Sequence, residues 1–279
     1  MASKVWFMTG TARGFGRIWA QAALERGDRV AATARNIDDL AALKARFGDA
    51  VLPLALDVTN ADQVRDTVRQ AHAHFGRLDI VLNNAGYSLV GTLEEAQVDD
   101  VRAVFETNYF GTLHVIQAAL PLLRAQGYGH IIGVSSTLGT YAVPLIGFYC
   151  TTKWAIEAMH ESLAQEVAPF GIHVTLLEPG AYKTEFGSQA SLKMSPALDV
   201  YADLRARVFQ GLQTMQQGDP HATPSALFAL VDAEKPPLRF ALGNTMLPRV
   251  RAVYAERIAT WEAWESVSSA AQGSSTSSE

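Results

Sequence analysis

Only one cysteine, Cys150, stands among the 279 residues, which excludes an intramolecular disulfide and any cysteine-rich metal cluster. Basic charge is not in excess: 23 Lys and Arg against 28 Asp and Glu leave a formal net charge of −5. The basic residues are scattered, so no stripe suits nucleic acid or an anionic membrane. No apolar run reaches the roughly eighteen residues needed to cross a bilayer, and MASKVWFMTG leads straight into a strand without the long apolar region of a signal peptide. His72 and His74 stand two apart on a predicted helix and diverge, which makes a solvated face rather than a metal site. The expectation is a cytoplasmic protein of one domain, with a small-molecule partner, no metal, no nucleic acid and no membrane.

What is present is a rhythm. Short apolar runs at Lys4 to Thr9, Arg29 to Ala34, Val51 to Ala55, Ile80 to Leu82, His130 to Val134, His173 to Leu177 and Leu238 to Leu242 predict seven buried strands. Helical patterns separate them at Ile18 to Glu25, Asp38 to Phe47, Ala61 to Phe75, about Asp99 to Leu123, Tyr149 to Ala168 and Pro224 to Ala233, and a last one runs from Leu247 to about Val267. Such alternation predicts an α/β, doubly wound parallel sheet of Rossmann type with helices on both faces. Its ligands sit at the carboxyl ends of the strands. The domain is expected to span 1–267. A stretch from Glu185 to Gly218 interrupts the rhythm, with Leu198, Tyr201, Leu204, Val208, Leu212 and Met215 spaced as one helix face, and is read as a mobile substrate lid. Residues 268–279 are small and polar and are expected to be a disordered tail.

Two stretches carry chemistry. Thr9-Gly10-Thr11-Ala12-Arg13-Gly14-Phe15-Gly16 joins the first strand to the first helix, where glycines let backbone approach a phosphate and the helix amino terminus supplies amides. Gly133 to Lys153 ends a strand with two hydroxyls, Ser135 and Ser136, and enters a helix at Tyr149. Tyr149 and Lys153 share one helix face, where an ammonium favours the phenolate and lowers the phenol pKa from about 10. A phenol so tuned exchanges a proton with a carbonyl or alcohol oxygen. A capping serine, a buried aromatic and a solvated lysine would give the same string, so context must decide.

Gly10, Gly14 and Gly16 in that frame, Asn83-Asn84-Ala85-Gly86 after the fourth strand, Asn108, Ser136, Tyr149 with Lys153, and Pro179-Gly180 together resemble the short-chain dehydrogenase/reductase family in its compact form, over about Lys4 to Leu242. The resemblance implies that Tyr149 is the acid/base, that Ser136 orients the substrate oxygen, and that Lys153 tunes Tyr149 and holds a nicotinamide ribose. Asn108 would shape the long helix and anchor a relay water. Ser136 stands thirteen residues before the tyrosine, the family's usual spacing, and side-chain alternation turns Ser135 away. Cofactor contacts are implied at Gly10, Thr11, Arg13, Gly14, Phe15, Gly16, Arg35, Asp57, Val58, Asn84, Ala85, Gly86, Tyr149, Lys153, Pro179, Gly180 and Thr184. Asp57 is read as an adenine contact, with a strand-ending turn as the plain alternative, and Thr184 as a carboxamide contact, with helix capping as its alternative.

Cofactor choice turns on Ala34, which stands where NAD-using relatives carry an acid, and on Arg35 and Arg13, which suit a 2′-phosphate. NADP(H) is expected. Substrate contacts are implied at Ser136, Tyr141, Val143, Tyr149 and Phe186, with Leu89, Val90 and Leu145 nearby, an apolar set that suits a lipophilic ketone or alcohol as in steroid- or retinoid-active relatives. The helices from Asp99 and Tyr149 resemble the family's subunit-pairing surface, which implies a homodimer or homotetramer. The expected function is carbonyl/secondary alcohol interconversion by hydride transfer. Two alternatives share the fold: an NADPH-binding sensor without turnover, and a sugar-nucleotide epimerase or dehydratase, which would need a larger carboxyl-terminal substrate domain.

Overall fold

A computed structural model describes residues 3–187 and 191–273. In chain order its elements are β1 Val5–Met8, α1 Gly14–Glu25, β2 Arg29–Ala34, α2 Ala41–Phe47, β3 Val51–Ala55, α3 Ala61–Phe75, β4 Ile80–Asn83, β5 Ser88–Val90, α4 Val98–Phe105, α5 Gly111–Gln126, β6 Gly129–Val134, α6 Gly147–Val167, β7 Ile172–Pro179, β8 Leu192–Met194, α7 Ala202–Thr214, α8 Thr223–Asp232, β9 Arg239–Leu242, α9 Met246–Ala263 and α10 Glu265–Ala270. Seven strands form one parallel sheet in the order β3-β2-β1-β4-β6-β7-β9. The strand order reverses direction between β1 and β4, and a ligand crevice opens beyond the strand ends at that point.

Alternation along the strands divides the core in two. Val5 and Phe7 pack on the face shared with Val64, Val68, Val115 and Ile131. Trp6 and Met8 pack on the other with Trp19, Leu40, Leu227 and Leu230. Every residue of β1 is fully buried, as a strand covered by helices on both faces requires. The Trp19 indole N–H donates to Thr223 Oγ1 at 2.8 Å and pins α1 to α8.

Four differences from the sequence reading have physical causes. The expected single helix from Asp99 is α4 and α5 joined by a π-helical turn, Glu106–Phe110, which carries the buried Asn108. Leu198 to Met215 is not one helix face: a 3-10 turn covers Asp199–Tyr201, α7 ends at Thr214, and Met215 is already extended. β5 and β8, absent from the reading, form a separate two-stranded parallel sheet, too short at three residues each to leave a periodic signal. The terminal helix breaks at Trp264 into α9 and α10, and α10 enters the stretch read as a tail. Residues 274–279 lie outside those described.

Two histidines are sealed inside. Burial pushes His130 down to about 3 and His160 down to about 4 from the ordinary 6.5, so both fold neutral. A group whose folded pKa is depressed leaves more protons bound in the unfolded chain, so stability falls as pH drops from 6.5 towards the folded value. For His160 the difference corresponds to something on the order of 3 kcal/mol. In urea unfolding between pH 7 and pH 4.5, His160→Asn should lose less stability than the starting protein over that interval. Parallel losses in the two proteins would contradict a neutral buried His160.

Candidate active site

The end of β1 and the end of β4 are stitched by four hydrogen bonds. Thr9 Oγ1 accepts from the backbone N–H of Asn84 at 2.9 Å and of Ala85 at 3.0 Å. Asn84 Nδ2 donates to the carbonyls of Thr9 and Gly10, both at 3.0 Å. This brings the glycine turn against Asn83 to Gly86. A Cβ on Gly16 would fall 2.2 Å from Gly10 O and 2.6 Å from Asn84 Nδ2, so only glycine lets α1 start this close to the strand. Gly14 has φ +57°, and a Cβ there would meet only Thr184, at 3.9 Å. Arg13, the residue before α1, makes no side-chain cap. The first amides of α1 are therefore available to an anion on the open side of the turn, a fit for a dinucleotide's phosphates.

At the far side of the crevice, β6 delivers Ser135 and Ser136, and α6 delivers Tyr149 and Lys153 on one face. Ser135 Oγ and the Glu157 carboxylate both line the space beside Gly139, while Ser136 Oγ accepts from Leu138 N at 3.1 Å and stands close enough to the Tyr149 phenol to act on its proton affinity. Lys153 Nζ donates to Val134 O at 2.7 Å and lies 5.5 Å from the Tyr149 ring centre. Asn108 is held by its Nδ2, which donates to Tyr87 O at 2.9 Å and Thr152 Oγ1 at 3.0 Å, and by its Oδ1, which accepts from Tyr87 N at 3.0 Å. These three bonds hold the π-helical turn, and they engage the amide with the neighbouring backbone of Tyr87.

Electrostatics here correct one expectation. Burial raises the Tyr149 phenol above its ordinary value, the Ser136 hydrogen bond opposes the rise, and Cys150 adds to it. The fall towards neutrality expected from Lys153 is not what this arrangement produces, because the ammonium is turned to Val134 O and desolvation dominates. Burial also pushes Lys153 itself down to about 8, with Glu157 acting the other way. Behind it, burial raises both Glu157 and Glu178, the latter to about 8, and Arg239 Nε reaches Glu157 Oε2 at 3.1 Å.

The other predicted residues fall into two groups. Gly86 faces Asn108 Oδ1 and Lys153 Nζ, at 3.0 Å and 3.9 Å from an added Cβ. Pro179 ends β7 beside Leu242, and Gly180 N donates to Leu242 O at 3.1 Å. Phe186 lies 5.5 Å from the Tyr149 ring, and Thr184 stands opposite Gly14, its Oγ1 accepting from Phe186 N at 3.3 Å in the capping geometry of the plainer alternative. Tyr141 takes a hydrogen bond from Thr137 at 3.2 Å under the Arg249 guanidinium. Val143 is half-buried in the same loop, and Arg35 is exposed at the end of β2. Arg13 Nε donates to Ser191 Oγ at 3.3 Å. By contrast, Thr11 is fully buried with Oγ1 donating to Thr33 O at 3.0 Å, and Phe15 stacks on Trp19 and meets Tyr182 edge-on. Their side chains build the turn. Val58 packs in the core against Gly111. Asp57 Oδ1 accepts from Thr59 N and Oγ1 at 3.0 Å and 2.8 Å, the turn geometry of the plainer alternative. Leu89, Val90 and Leu145 are core residues, 1%, 5% and 3% exposed.

Sequence reasoning missed Glu94 and Glu95. Glu95 accepts from Thr92 N and Leu198 N, each at 2.8 Å, and pairs with Arg205. Tyr201 donates to Glu94 at 2.6 Å. Ser195 N donates to Val90 O at 2.8 Å. With the β5–β8 pairing, these contacts tie the inserted segment to the rim of the crevice. The two adjacent acids before a polar turn were the available signal.

Known proteins with the same organisation were found by sequence and by structure. The family model described as short chain dehydrogenase matches residues 4–195. An oxidoreductase of Botryotinia fuckeliana, BOA17, is 39% identical over 245 residues, 86% of this chain and 89% of that protein. A 3-ketodihydrosphingosine reductase of Bacteroides thetaiotaomicron is 33% identical over 259 residues, 92% of each. Among solved structures, a short-chain dehydrogenase from Streptomyces avermitilis superposes with a TM-score of 0.89 at 36% identity, covering 97% of this chain and 98% of that one. Another, from Burkholderia cenocepacia in complex with NADP, gives 0.75 at 26%, covering 93% and 96%.

The two glycines of the turn should respond differently to alanine. Gly16→Ala forces Cβ into backbone and should lose about 1–3 kcal/mol of stability. Gly14→Ala meets open space and carries only the cost of a positive φ, about 1 kcal/mol. Thermal unfolding of both variants checks the order, and a Gly16→Ala protein as stable as the starting one would contradict the close approach.

Proposed function

The chain belongs to the short-chain dehydrogenase family, and on that footing we propose that it is an NADP(H)-dependent oxidoreductase interconverting a carbonyl and a secondary alcohol. The observation that carries this reading is the meeting of the Ser136 hydroxyl with the Tyr149 phenol beneath Phe186, with Lys153 one helical turn on. Glycine-lined backbone, the amides of α1, Gly86 and the Pro179-Gly180 turn would hold the dinucleotide. When bound, the nicotinamide supplies or accepts the hydride at the substrate carbon.

The residues of the chain handle the oxygen. Ser136 donates to the carbonyl oxygen and fixes it against Tyr149. Tyr149 gives its proton as negative charge develops there, and takes it back in the oxidative direction. Its raised pKa keeps the phenol protonated, which suits the reductive direction. Lys153, its own pKa brought near 8, lies close enough to favour the phenolate left after transfer. Phe186 and the buried wall of the crevice exclude water from this exchange.

A lipophilic substrate is supported by Phe186 beside Tyr149, by Tyr141 and Val143 in the loop between Ser136 and Tyr149, and by the likeness to a 3-ketodihydrosphingosine reductase. Solved neighbours hold either NADP or NAD, so the cofactor choice rests on Ala34 and the exposed Arg35 at the end of β2. Pairing through the helices that follow Val98 and Gly147 is the subunit arrangement this family likeness favours.

Two measurements test the reading. Tyr149→Phe removes one oxygen and should lower kcat by about 10²- to 10⁴-fold with cofactor affinity kept. Turnover within threefold of the starting enzyme would refute the assignment, while no turnover of NADPH by the starting protein with aliphatic, aromatic and steroid ketones would favour the sensor. For the cofactor, kcat/KM should favour NADPH, Arg35→Ala should cut the NADPH value about tenfold to a hundredfold since charge-assisted bonds contribute about 1.5–3 kcal/mol, and Ala34→Asp with Arg35→Ala should reverse the preference. A starting protein that prefers NADH would overturn the NADP(H) assignment and leave the Tyr149 chemistry standing.

A further inference from the structure

α9 and α10 make a helical arm whose only buried residue is Met246. Its first three turns rest on the body of the protein. There Val250, Val253 and Arg257 are half-buried, and Arg257 donates to Thr140 O at 3.1 Å while lying 5.0 Å over both the Trp154 and Tyr254 rings. From Ile258 to Gly273 every residue is exposed. The arm overhangs the domain, and it is not polar. Leu247, Tyr254, Ile258, Trp261, Trp264 and Val267 are 51%, 40%, 47%, 67%, 64% and 60% exposed.

These residues are ordered around the helix. At about 100° per residue, Leu247, Tyr254, Ile258 and Trp261 fall within about 60° of one line. That line is displaced from the side that faces the body, marked by Met246, Val250, Val253 and Arg257. An apolar stripe of this kind on a folded domain has a partner, and tryptophan and tyrosine are the side chains that contribute most when such a stripe is covered.

Charge identifies the partner. Arg249, Arg251 and Arg257 outnumber the one acid, Glu256, in the amino-terminal half of the arm, and Glu262 and Glu265 occupy the carboxyl-terminal half. This is the reverse of what an isolated helix favours, because its dipole is positive at the amino end and negative at the carboxyl end. The unfavourable arrangement becomes favourable when a second arm lies antiparallel, since each basic half then meets an acidic half and the two dipoles oppose. Arg251 and Glu262 are eleven residues apart, so they project within about 20° of one another along the same edge of the stripe. A two-fold axis midway between them sets Arg251 of one copy beside Glu262 of the other, twice. The acidic outer half also opposes an anionic lipid surface.

We propose that the α9–α10 arm is a self-association face, on which a second copy of this chain docks antiparallel through the Leu247, Tyr254, Ile258 and Trp261 stripe and two Arg251 to Glu262 pairs. The interface is isologous, as two-fold pairing requires. It is independent of the catalytic reading: the stripe lies on the exposed side of the arm, while Arg257, on the side that faces the body, meets Trp154 of α6.

The test is the molar mass of the full-length protein by sedimentation equilibrium over a concentration series, with melting temperature and turnover followed in parallel. Trp261→Glu should halve the mass of the assembly, whether from dimer to monomer or tetramer to dimer, with melting of the subunit and turnover unchanged. Arg251→Glu and Glu262→Arg should each raise the dissociation constant at least tenfold, and the double charge exchange should restore it. A starting protein that is monomeric throughout, a mass unchanged in Trp261→Glu, or a double exchange no tighter than either single variant would each overturn the proposal. So would an unchanged mass accompanied by Trp261-dependent binding to phosphatidylcholine vesicles, which would assign the arm to a lipid surface.

Discussion

The glycine-turn side of the crevice is positioned by the hydrogen bonds of Thr9 and Asn84. One hydroxyl accepts from two successive amides, one side-chain amide donates to two successive carbonyls, and the ends of β1 and β4 are thereby fixed at the point where the strand order reverses. The glycine turn, the start of α1 and Gly86 take their places from that junction. Gly16 can be nothing larger because the junction leaves no room between α1 and Gly10. Through Gly86, the junction also reaches Asn108 and Lys153. The glycine-turn end and the Tyr149 end of the crevice share one short stretch of backbone.

Sequence pattern sufficed wherever burial imposed it. β2, β3 and α3 have the bounds expected from their apolar periodicity, and the seven parallel strands follow from runs that are apolar on both faces. It failed where structure rests on side-chain to backbone bonds made across long sequence distances. The π-helical turn at Glu106–Phe110 exists because Asn108 must meet Tyr87 and Thr152, residues 21 and 44 positions away. No local window contains that requirement. The β5–β8 sheet is held by partners about a hundred residues apart, and three-residue strands carry no period of their own.

The site residues were legible as residue types and less so as electrostatic states. Tyr149, Lys153 and Ser136 stand together on adjoining elements, but spacing on a helix says nothing of desolvation. Burial raises the phenol and lowers the ammonium, so two groups whose ordinary values lie close together are driven apart in proton affinity. Thr11, Phe15 and Val58 show a complementary arrangement. Each lies in a motif that approaches a ligand with its backbone, and each sends its side chain into the protein.

The pairing of Ser88–Val90 with Leu192–Met194 bears on the order of assembly. A contact between segments that far apart in sequence forms only after a large loop has been closed, and this two-stranded sheet buries too little to stand by itself. It must await β4, β6 and β7, whose association brings its two halves within reach. During synthesis, or on refolding, the wall of the crevice that Phe186 belongs to is therefore completed after the half built on the glycine turn. An early folding species of this chain would carry the glycine turn before the wall above Tyr149 is in place.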